Sequence, residues 1–330
     1  MDLVLVSGAT GFLSGSVGVG DRSMKLSKAR SFQEYEAFIP DFEAFCDSLH
    51  TPLPRCLRVN TQRITPLELT RTLRAQGYPV RSTSVADYLL ECDGLDHPGS
   101  TLEAAFGYFI SQALTSAIAA IALDPRPEEF ICDLCAAPGC KTTHMAQLMI
   151  NRGLIVANDS KQKRLRALEN NIRRLGVTNV VITSYAGQNF PQRWRFDRVL
   201  ADVPCSGEGI FRFSSSPTQP PRRQASRFLP RIQRDLIIRA FDLLADKGIL
   251  LYSTCTYSPD ENEEVVQYLL DNRPAEVLPI DVPAPYAPGI VKWRNRSYDR
   301  QINRCWRIYP HQLNSVGFFL ARICRRSRPK

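Results

Sequence analysis

Residues 130–145, FICDLCAAPGCKTTHM, join an apolar run, a turn of small residues and a segment that can start a helix. The run Phe130 to Leu134 predicts a buried strand, and Thr142 and Thr143 can open a helix after the turn. Small residues in the turn let a ligand approach the backbone closely, and the helix start offers free N–H groups. This stretch therefore predicts a strand, a ligand-binding turn and a helix, which together form the first unit of an open α/β sheet.

Strands and helices alternate through the rest of the chain. Further strands are predicted at Leu154 to Ala157, Val180 to Thr183, Phe196 to Ala201 and Gly248 to Tyr252, and helices at Gln112 to Leu123, Thr142 to Asn151, Gln162 to Leu175, Pro230 to Ala245 and Asp260 to Asn272. Two last strands, Trp306 to Tyr309 and Phe318 to Ile323, resemble a terminal hairpin. Regular alternation predicts a mainly parallel sheet covered on both faces, which is a Rossmann-like α/β fold.

Three regions are expected along the chain. Residues 1–27 are rich in Gly and Ser and are predicted to be a mobile leader, because no helix opens after the glycines between Gly8 and Gly15. Residues 28–100 are predicted to hold an amino-terminal helix and a small α/β module. Residues 101–330 are expected to form the catalytic domain, with a flexible loop at Ser214 to Arg223 over its crevice.

The amino-terminal region begins with apolar residues at helical spacing from Phe32 to Leu49, where Pro40 is expected to kink the helix or divide it in two. The small module after it is predicted to contain strands at Cys56 to Val59 and Tyr88 to Cys92, with a helix from Pro66 to Gln76. Its arginines are expected to face phosphate: Arg55, Arg58, Arg63, Arg71, Arg74 and Arg81.

Composition narrows the class of partner. The net charge of +9 favours a polyanionic partner such as nucleic acid. The ten cysteines form no disulfide framework, so reduced thiols and a cytoplasmic location are expected. The apolar stretch Ala117 to Leu123 is far too short to span a bilayer, so no membrane partner is expected. A monomer is predicted.

The turn after the first strand is the predicted cofactor site. Asp159 ends the second strand about 20 residues further on, where a carboxylate can bind two ribose hydroxyls. No glycine-rich dinucleotide signature or Walker loop is present, which suits a cofactor without pyrophosphate, such as S-adenosylmethionine. The predicted cofactor-binding residues are Cys135, Ala136, Ala137, Pro138, Gly139, Cys140, Lys141, Asp159, Arg164 and Asp202.

Two cysteines follow two of the predicted strands. Cys205 comes shortly after the run Phe196 to Leu200, and Cys255 comes after the run Gly248 to Tyr252. The carboxyl ends of parallel strands meet at one edge of a sheet, so both thiols are expected to face one crevice. A thiolate can add to a ring carbon and leave again. The pair therefore predicts chemistry on a base, with one thiol attacking and the other assisting.

Several motifs resemble those of the Sun/RsmF family of RNA 5-methylcytosine methyltransferases. They are DLCAAPGCKTT (133–143), DVPCSGEGIFR (202–212) and YSTCT (252–256) followed by ENE (261–263), with weaker similarity at RVNT (58–61), GYFISQ (107–112) and GFFLA (317–321). The resemblance implies an S-adenosylmethionine-dependent methyltransferase domain, an amino-terminal RNA-binding module, and a cytosine in rRNA or tRNA as target.

The resemblance also implies roles for four catalytic residues. Cys255 would be the nucleophile that adds to C6 of cytosine, and Cys205 would help remove the C5 proton. Asp202 would pair with the edge of the base, and Lys141 would lower a thiol pKa or order the site. No metal is predicted, because Cys132 and Cys135 have no second ligand pair at metal spacing.

The sequence departs from the family pattern at three positions. The family usually has Gly where Cys140 stands, Ala where Val203 stands, and an acidic residue where Ala186 stands. Losing a charged hydrogen bond costs about 1.5–3 kcal/mol, so roughly ten- to a hundredfold weaker cofactor binding is expected. A titration that gave sub-micromolar affinity would contradict this expectation.

The segment EGIFR (208–212) most resembles the branch of the family that acts on small-subunit rRNA, so rRNA is the expected substrate, with tRNA almost equally open. A non-catalytic RNA-binding ribosome-assembly factor is the rival from another class, and a DNA cytosine methyltransferase is a third option. RNA is expected to contact basic residues in three places. These are Lys161, Lys163, Arg164 and Arg166 beside the cofactor strand, Arg222, Arg223 and Arg227 in or near the flexible loop, and Arg322, Arg325, Arg326, Arg328 and Lys330 in the tail.

Overall fold

A computed structural model describes residues 29–213 and 228–326. The expected mobile leader and the expected loop over the crevice lie outside the described residues. The α-helices are α1 Phe42–Ser48, α2 Pro66–Ala75, α3 Leu102–Ala105, α4 Leu114–Leu123, α5 Cys140–Leu148, α6 Gln162–Leu175, α7 Leu229–Asp242 and α8 Glu263–Asn272. The strands are β1 Cys56–Val59, β2 Val80–Ser82, β3 Leu89–Cys92, β4 Phe109–Ser111, β5 Phe130–Asp133, β6 Leu154–Asn158, β7 Val180–Thr183, β8 Phe196–Asp202, β9 Leu244–Thr254, β10 Ala275–Leu278, β11 Ala287–Pro288, β12 Lys292–Trp293, β13 Arg296–Ser297, β14 Trp306–Ile308 and β15 Phe318–Arg325.

The central sheet has the strand order β7-β6-β5-β8-β9-β15-β14-β11, and β10 also pairs with β15. Strands β5 to β9 are parallel to their neighbours, whereas β15 is antiparallel to β9 and β14. The chain first builds outward from β5 to β7 and then returns to place β8 on the other side of β5. A crevice therefore opens at the carboxyl ends of β5 and β8, where ligands bind in such sheets. This topology confirms the Rossmann-like α/β prediction.

Helices cover both faces of this sheet. On one face α7 and α8 pack their buried sides against the strands, and on the other face α4 and α5 do so. Helix α4 is buried nearly all round, which explains its almost wholly apolar sequence. The sheet is thus fixed from both sides, and the loops at its carboxyl edge are positioned by rigid elements.

A smaller antiparallel sheet, with the order β2-β3-β1-β4, precedes the central one. Helix α2 packs on it through Leu69 and Leu73, and its first turn is closed by a capping box between Thr65 and Glu68. Strands β2 and β4 were not expected, because three-residue strands carry no clear alternation. The domain boundary at residue 100 stays a prediction; β4, which follows it, pairs with β1.

Arg58 corrects the expectation that the module's arginines face phosphate. It lies on β1, is 1% exposed, and donates to the carbonyl of Cys140 and to Thr143 Oγ1, both at 2.9 Å. Arg81 instead pairs with Glu91 and Asp93. Arg58 therefore connects the small sheet to the catalytic domain.

The predicted helix from Phe32 to Leu49 is divided in two at Pro40 rather than kinked, which is one of the two outcomes predicted there. Residues Ala29–Tyr35 form a 3₁₀ helix, and α1 starts only after Asp41, whose side chain accepts a hydrogen bond from the backbone N–H of Ala44. Pro40 has no N–H to donate, so a continuous helix would lose a bond there.

Several other helix bounds differ from prediction. Helix α7 ends at Asp242 rather than Ala245, because β9 begins at Leu244. Helix α5 ends at Leu148 rather than Asn151, because Ile150 and Asn151 take left-handed backbone angles. Helix α8 begins at Glu263 rather than Asp260. Among the described residues, no helix is long and apolar enough to cross a membrane.

Candidate active site

The sulfur atoms of Cys205 and Cys255 lie 3.1 Å apart. Strands β8 and β9 are parallel neighbours with Asp202 opposite Ser253, so the two loops that follow them run side by side. The backbone N–H of Cys255 also donates to Cys205 Sγ at 3.3 Å. The structure thus brings both predicted thiols into one place.

The surroundings of Cys205 favour its protonated form. The hydrogen bond with Cys255 raises the pKa of the Cys205 thiol well above its usual value, and burial raises it further. A thiol that stays protonated is a poor first nucleophile, because the thiolate is the attacking species.

Lys141 and Asp202 form an ion pair beside the thiols. Lys141 Nζ lies 2.7 Å from Asp202 Oδ2, and Ser253 Oγ donates to Asp202 Oδ1 at 2.7 Å. Burial works against the charge on Lys141, but the carboxylate of Asp202 outweighs it and raises the pKa of Lys141. Both oxygens of Asp202 are therefore held in place by donors, and the lysine remains cationic.

A cavity of about 130 Å³ opens directly beside this pair. Its lining residues are Ser116, Asp133, Cys135, Ala136, Ala137, Pro138, Cys140, Lys141 and Asp202. Seven of the predicted cofactor residues therefore line one cavity, and Lys141 and Asp202 belong both to it and to the thiol site.

The three other predicted cofactor residues lie outside that lining. Asp159 Oδ2 accepts from the backbone N–H of Ala137 at 3.3 Å and pairs with Arg164 at 3.0 Å. Arg164 also donates to the carbonyl of Ala137, so Asp159 and Arg164 both bond the backbone of the turn. Gly139 has a φ of 102°, and a Cβ there would lie 2.7 Å from Leu168 of α6. Glycine is thus required where the turn meets α6.

Asp133 is a cavity residue that was not among the predicted site residues. It is 1% exposed, Thr142 Oγ1 donates to its Oδ2 at 2.6 Å, and its Oδ1 has no hydrogen-bond partner within the described part of the chain. Burial raises the pKa of Asp133 to about 7, although Thr142 acts against the rise and the charge of Asp202 adds to it. The sequence signal that could have identified Asp133 as a site residue is its position at the carboxyl end of the first predicted strand.

Glu261 corrects the interpretation of the acidic group before α8. The residues Glu261, Glu263 and Glu264 were expected to share the first turn of a helix. Glu261 instead precedes the helix and accepts hydrogen bonds from Ser206 N at 3.0 Å and Gln233 Nε2 at 2.8 Å. It therefore holds the Cys205 loop, which no sequence pattern indicated.

Glu263 also has a specific partner. Its carboxylate forms a buried ion pair with Arg307 on β14. Only Glu264 remains a partly exposed acid of the first turn, where it pairs with Arg234.

Cys132 and Cys135 have the C-x-x-C spacing of a metal or redox pair, but their surroundings do not suit that chemistry. Burial raises the pKa of the thiols of Cys132 and Cys135, which disfavours the thiolate that metals bind. Within residues 29–213 and 228–326, no group of three His, Cys, Asp or Glu side chains could hold a metal ion.

A larger cavity of about 290 Å³ lies on the sheet face beside β7, lined mainly by apolar side chains that include Val181, Tyr185 and Trp194. Its lining contains no Cys, His, Asp, Glu or Lys side chain. Size alone therefore does not identify the active site.

Some of the basic residues that were predicted to contact RNA are exposed, and others are not described or are bonded within the protein. Lys161, Lys163, Arg164 and Arg166 are exposed at the start of α6. Arg325 instead donates to the carbonyls of Phe241 and Leu244. Arg222, Arg223, Arg227, Arg328 and Lys330 lie outside the described residues.

A sequence profile described as 16S rRNA methyltransferase RsmB/F matches residues 120–324, the region that contains the cavity and both thiols. The chain belongs to the RsmB/F family. The predicted Sun/RsmF membership is confirmed, and S-adenosylmethionine is the cofactor of this methyltransferase.

Similar proteins in this family act on different RNAs. The chain is 34% identical over 288 residues to a tRNA (cytosine(49)-C(5))-methyltransferase of Pyrococcus abyssi, covering 86% of this chain and 92% of that protein. It is 36% identical over 295 residues to ribosomal RNA small subunit methyltransferase F of an Enterobacter species, covering 86% of this chain and 59% of that protein. It is 35% identical over 289 residues to a human 28S rRNA (cytosine(4447)-C(5))-methyltransferase, covering 84% of this chain and 35% of that protein.

Two solved structures share the fold over nearly the entire chain. A methyltransferase homolog protein from Pyrococcus horikoshii superposes with a TM-score of 0.80 at 31% identity, covering 92% of this chain and 98% of that one. NSun6 from the same organism, solved with SFG, has a TM-score of 0.79 at 23% identity, covering 91% and 98%. Both matches extend beyond the central sheet to nearly the entire chain.

Proposed function

We propose that this RsmB/F protein is an RNA cytosine-C5 methyltransferase that modifies rRNA through a covalent bond between Cys255 and the base. The observation that carries the proposal is the pair of sulfur atoms 3.1 Å apart, joined to the cofactor cavity by Lys141 and Asp202. A target base at the thiols would lie next to whatever the cavity holds, because Asp202 borders both.

C5 of cytosine is a weak nucleophile until a group adds at C6. In the proposed reaction the thiolate of Cys255 forms a bond to C6, and the displaced electron pair makes C5 electron-rich. C5 then takes the methyl group. Loss of the C5 proton to a base returns the electron pair to the C5–C6 bond and expels Cys255 as thiolate. Cys205 is positioned to assist that last step: after its own proton has passed to water, its thiolate, whose pKa is raised, is a strong base that can take the C5 proton.

Asp202 and Lys141 would stabilise the charge that builds on the ring. Ser253 and Lys141 each hold one oxygen of Asp202, so the carboxylate is oriented before a base arrives. A preorganised polar group costs no reorganisation during the reaction. Asp202 would thus face the edge of the base, and Lys141 would balance the charges of the site.

The cavity fits S-adenosylmethionine in its chemistry. The unpartnered Oδ1 of Asp133 is a buried acceptor that suits the amino group of the methionine moiety, and Ala136 and Ala137 let the cofactor approach the backbone. When bound, S-adenosylmethionine supplies a methyl group activated on a sulfonium. Asp159 would remain the residue for the ribose hydroxyls, because it ends the neighbouring strand.

Ribosomal RNA is the proposed substrate, because the matching family profile and the Enterobacter relative carry rRNA methylation in their names. Transfer RNA is the second candidate, favoured by the near full-length match to the Pyrococcus abyssi tRNA enzyme. The proposal keeps the predicted monomer and the cytoplasmic location; thiols that must stay reduced support the latter.

The test uses purified protein, labelled S-adenosylmethionine and separated rRNA and tRNA. Wild type should label cytosine in rRNA, Cys255→Ala should lose all transfer, and Cys205→Ala should accumulate a covalent RNA–protein adduct. Cys324→Ala, on β15, serves as the matched control and should retain transfer. Label in tRNA alone would replace rRNA as substrate, and no transfer to either RNA would favour the non-catalytic rival.

A further inference from the structure

Glu208 is a buried carboxylate beneath both cysteine loops, three residues after Cys205. It is 8% exposed. Its Oε2 accepts hydrogen bonds from Thr256 Oγ1 at 2.9 Å and from the backbone N–H of Tyr257 at 3.3 Å. These are the two residues that follow Cys255, so one carboxylate fixes the chain directly after the thiol.

The opposite side of Glu208 is held by the amino-terminal segment. The hydroxyl of Tyr35 lies 3.1 Å from both oxygens of Glu208, and Tyr35 is itself buried. Phe32 and Phe45 of the same segment pack edge-on against the ring of Tyr257. We call residues 29–50 the amino-terminal strap, because they cross beneath the Cys255 loop and contact it through these rings.

Further bonds join the two loops near this carboxylate. Ser206 Oγ and Thr256 Oγ1 are 2.7 Å apart, and Gly209 N donates to the carbonyl of Cys255 at 2.9 Å. A Cβ at Gly209 would lie 2.2 Å from the carbonyl oxygen of Gly317, so the contact admits no side chain. The Cys255 loop therefore has little freedom to move relative to the Cys205 loop.

We propose that Glu208 is a positioning residue for Cys255, and that Tyr35 of the amino-terminal strap holds Glu208 in the orientation this requires. The proposal rests on the proposed function, because it assigns Glu208 to the step in which Cys255 attacks the base. It also gives the amino-terminal strap a role in the chemistry although the strap contributes no residue to the cavity lining.

A carboxylate is needed at this point because it only accepts hydrogen bonds. Thr256 must donate its single hydroxyl proton to Glu208, so Ser206 must in turn donate to Thr256. The direction of hydrogen-bond donation across both loops therefore runs from Ser206 to Thr256 and from Thr256 to Glu208. An amide at position 208 can keep its oxygen toward Thr256 and Tyr257 only if its NH2 group faces Tyr35, whose hydroxyl must then accept instead of donate. The negative charge that orients these donors is also lost, which weakens each of the remaining hydrogen bonds. Burial raises the pKa of Glu208, and the donors from Thr256 and Tyr35 act against that rise.

The experiment measures adduct formation in the Cys205→Ala background, where attack by Cys255 is observed without release. Adding Glu208→Gln should slow adduct formation about tenfold or more, the rate equivalent of one hydrogen bond to a charged group. Adding Tyr35→Phe should slow it about threefold, because it removes one shared hydrogen bond. Cofactor affinity should stay within about twofold of the parent, since Glu208 does not line the cavity.

Glu129→Gln is the matched control. Glu129 is also a partly buried carboxylate that accepts from Arg198 and from Arg126 N, but it lies before β5, at the opposite end of the sheet. It should leave adduct formation unchanged. If Glu208→Gln fails to fold, Tyr35→Phe carries the test.

The proposal would be overturned if adduct formed at the parent rate in both Glu208→Gln and Tyr35→Phe. It would also be overturned if cofactor affinity fell in parallel with the rate of adduct formation, because that result would show a merely structural role. A second readout separates this from the proposed function. If the Cys205→Ala parent forms no adduct, the proposed function fails; the rate of Cys255 alkylation by iodoacetamide, followed by mass spectrometry, then decides the positioning role. That rate should change at least threefold in Glu208→Gln, by the same hydrogen-bond argument, and not in Glu129→Gln.

Discussion

At the scale of single residues, the site depends on charges that are buried but not all paired. Asp202 has two side-chain donors and Glu208 is held by three groups, whereas Oδ1 of Asp133 is buried with no hydrogen-bond partner among the residues that the structure describes. An unpaired buried acceptor costs stability that the fold must supply elsewhere. A ligand that donated a hydrogen bond to this oxygen would remove that cost in stability.

Asp133 should make the stability of the cofactor-free protein fall as pH rises. Its pKa is raised from an ordinary 3.8 to about 7, so between these values the unfolded chain loses the proton while the folded protein keeps it. Relative to Asp133→Asn, which is always neutral, the wild type should lose up to roughly 4 kcal/mol of unfolding free energy from pH 4 to pH 7, and little more above pH 7.

Urea unfolding at several pH values checks this expectation, with Asp246→Asn, an exposed position on β9, as control. A constant difference between wild type and Asp133→Asn from pH 4 to pH 8 would contradict it.

The sequence predicted the thiols but missed their supports, for a physical reason. Cys205 and Cys255 could be paired because parallel strands end at the same edge, a rule that needs only the strand positions. Ser253, Glu208 and Glu261 act through loop conformations and long-range contacts, which local patterns do not encode. Their hydrogen bonds to Asp202, Thr256 and Ser206 became visible only in the structure.

At the scale of elements, the small sheet and the cofactor turn are joined by buried polar side chains. Arg58 on β1 bonds the first turn of α5, and Asn60 donates to the carbonyls of Gly107 and Leu175, both at 2.9 Å. Asn60 thereby ties the end of α6 to the segment before β4. The two parts of the protein therefore share hydrogen bonds rather than only an apolar contact.

Arg58→Met should weaken both folding and cofactor binding. The carbonyl of Cys140 and Thr143 Oγ1 would each lose a charged donor, which costs about 1–3 kcal/mol. The first turn of α5 carries Cys140 and Lys141, so a looser turn should also raise the dissociation constant for S-adenosylmethionine. Thermal unfolding and a binding titration measure the two effects.

Arg71→Met is the control, because Arg71 is exposed on α2 of the same small sheet. Equal unfolding temperatures and affinities for the two variants would show that the Arg58 bonds contribute nothing.

Some elements were predictable and others were not. Helix α6 matches its predicted bounds because its apolar residues keep helical spacing between Lys161 and Gly176. Strands β4 and β10 were missed, since each is short and is stabilised by a partner far away in sequence, Val59 for Phe109 and Ile323 for Val277. Pairing of this kind depends on the whole fold rather than on the local sequence.

At the scale of the whole molecule, charge is distributed unevenly around the sheet. Lys161, Lys163 and Arg166 are exposed just beyond the carboxyl end of β6, at the same edge as the thiols. Arg126, Arg152 and Lys247 are exposed near the opposite edge, before β5, before β6 and at the start of β9. Phosphate contacts at the first edge would hold RNA while a base leaves its stack.

RNA affinity should therefore depend on where on the surface a positive charge is removed, as well as on the net charge of the protein. Changing Lys161, Lys163 and Arg166 to Ala should reduce the slope of log affinity against log salt by about 2, at about 0.7 per contact to a single strand. The same change at Arg126, Arg152 and Lys247 removes equal charge from the far edge and should leave the slope nearly unaltered. Filter-binding titrations over a salt series measure both; identical slopes for the two triple variants would contradict a localised contact.

The position of β15 has a consequence for how the protein is made. This strand, the last in the described chain, inserts between β9 and the pair β14 and β10. While the polypeptide is emerging from the ribosome, β9 keeps an open edge next to the Cys255 loop until β15 has been translated. Phe318, whose ring lies under Lys141 Nζ at 5.4 Å, arrives in the same event. The pocket beside the Cys255 loop is thus completed only when β15 is in place, so the segments that precede β15 in the chain do not form it by themselves.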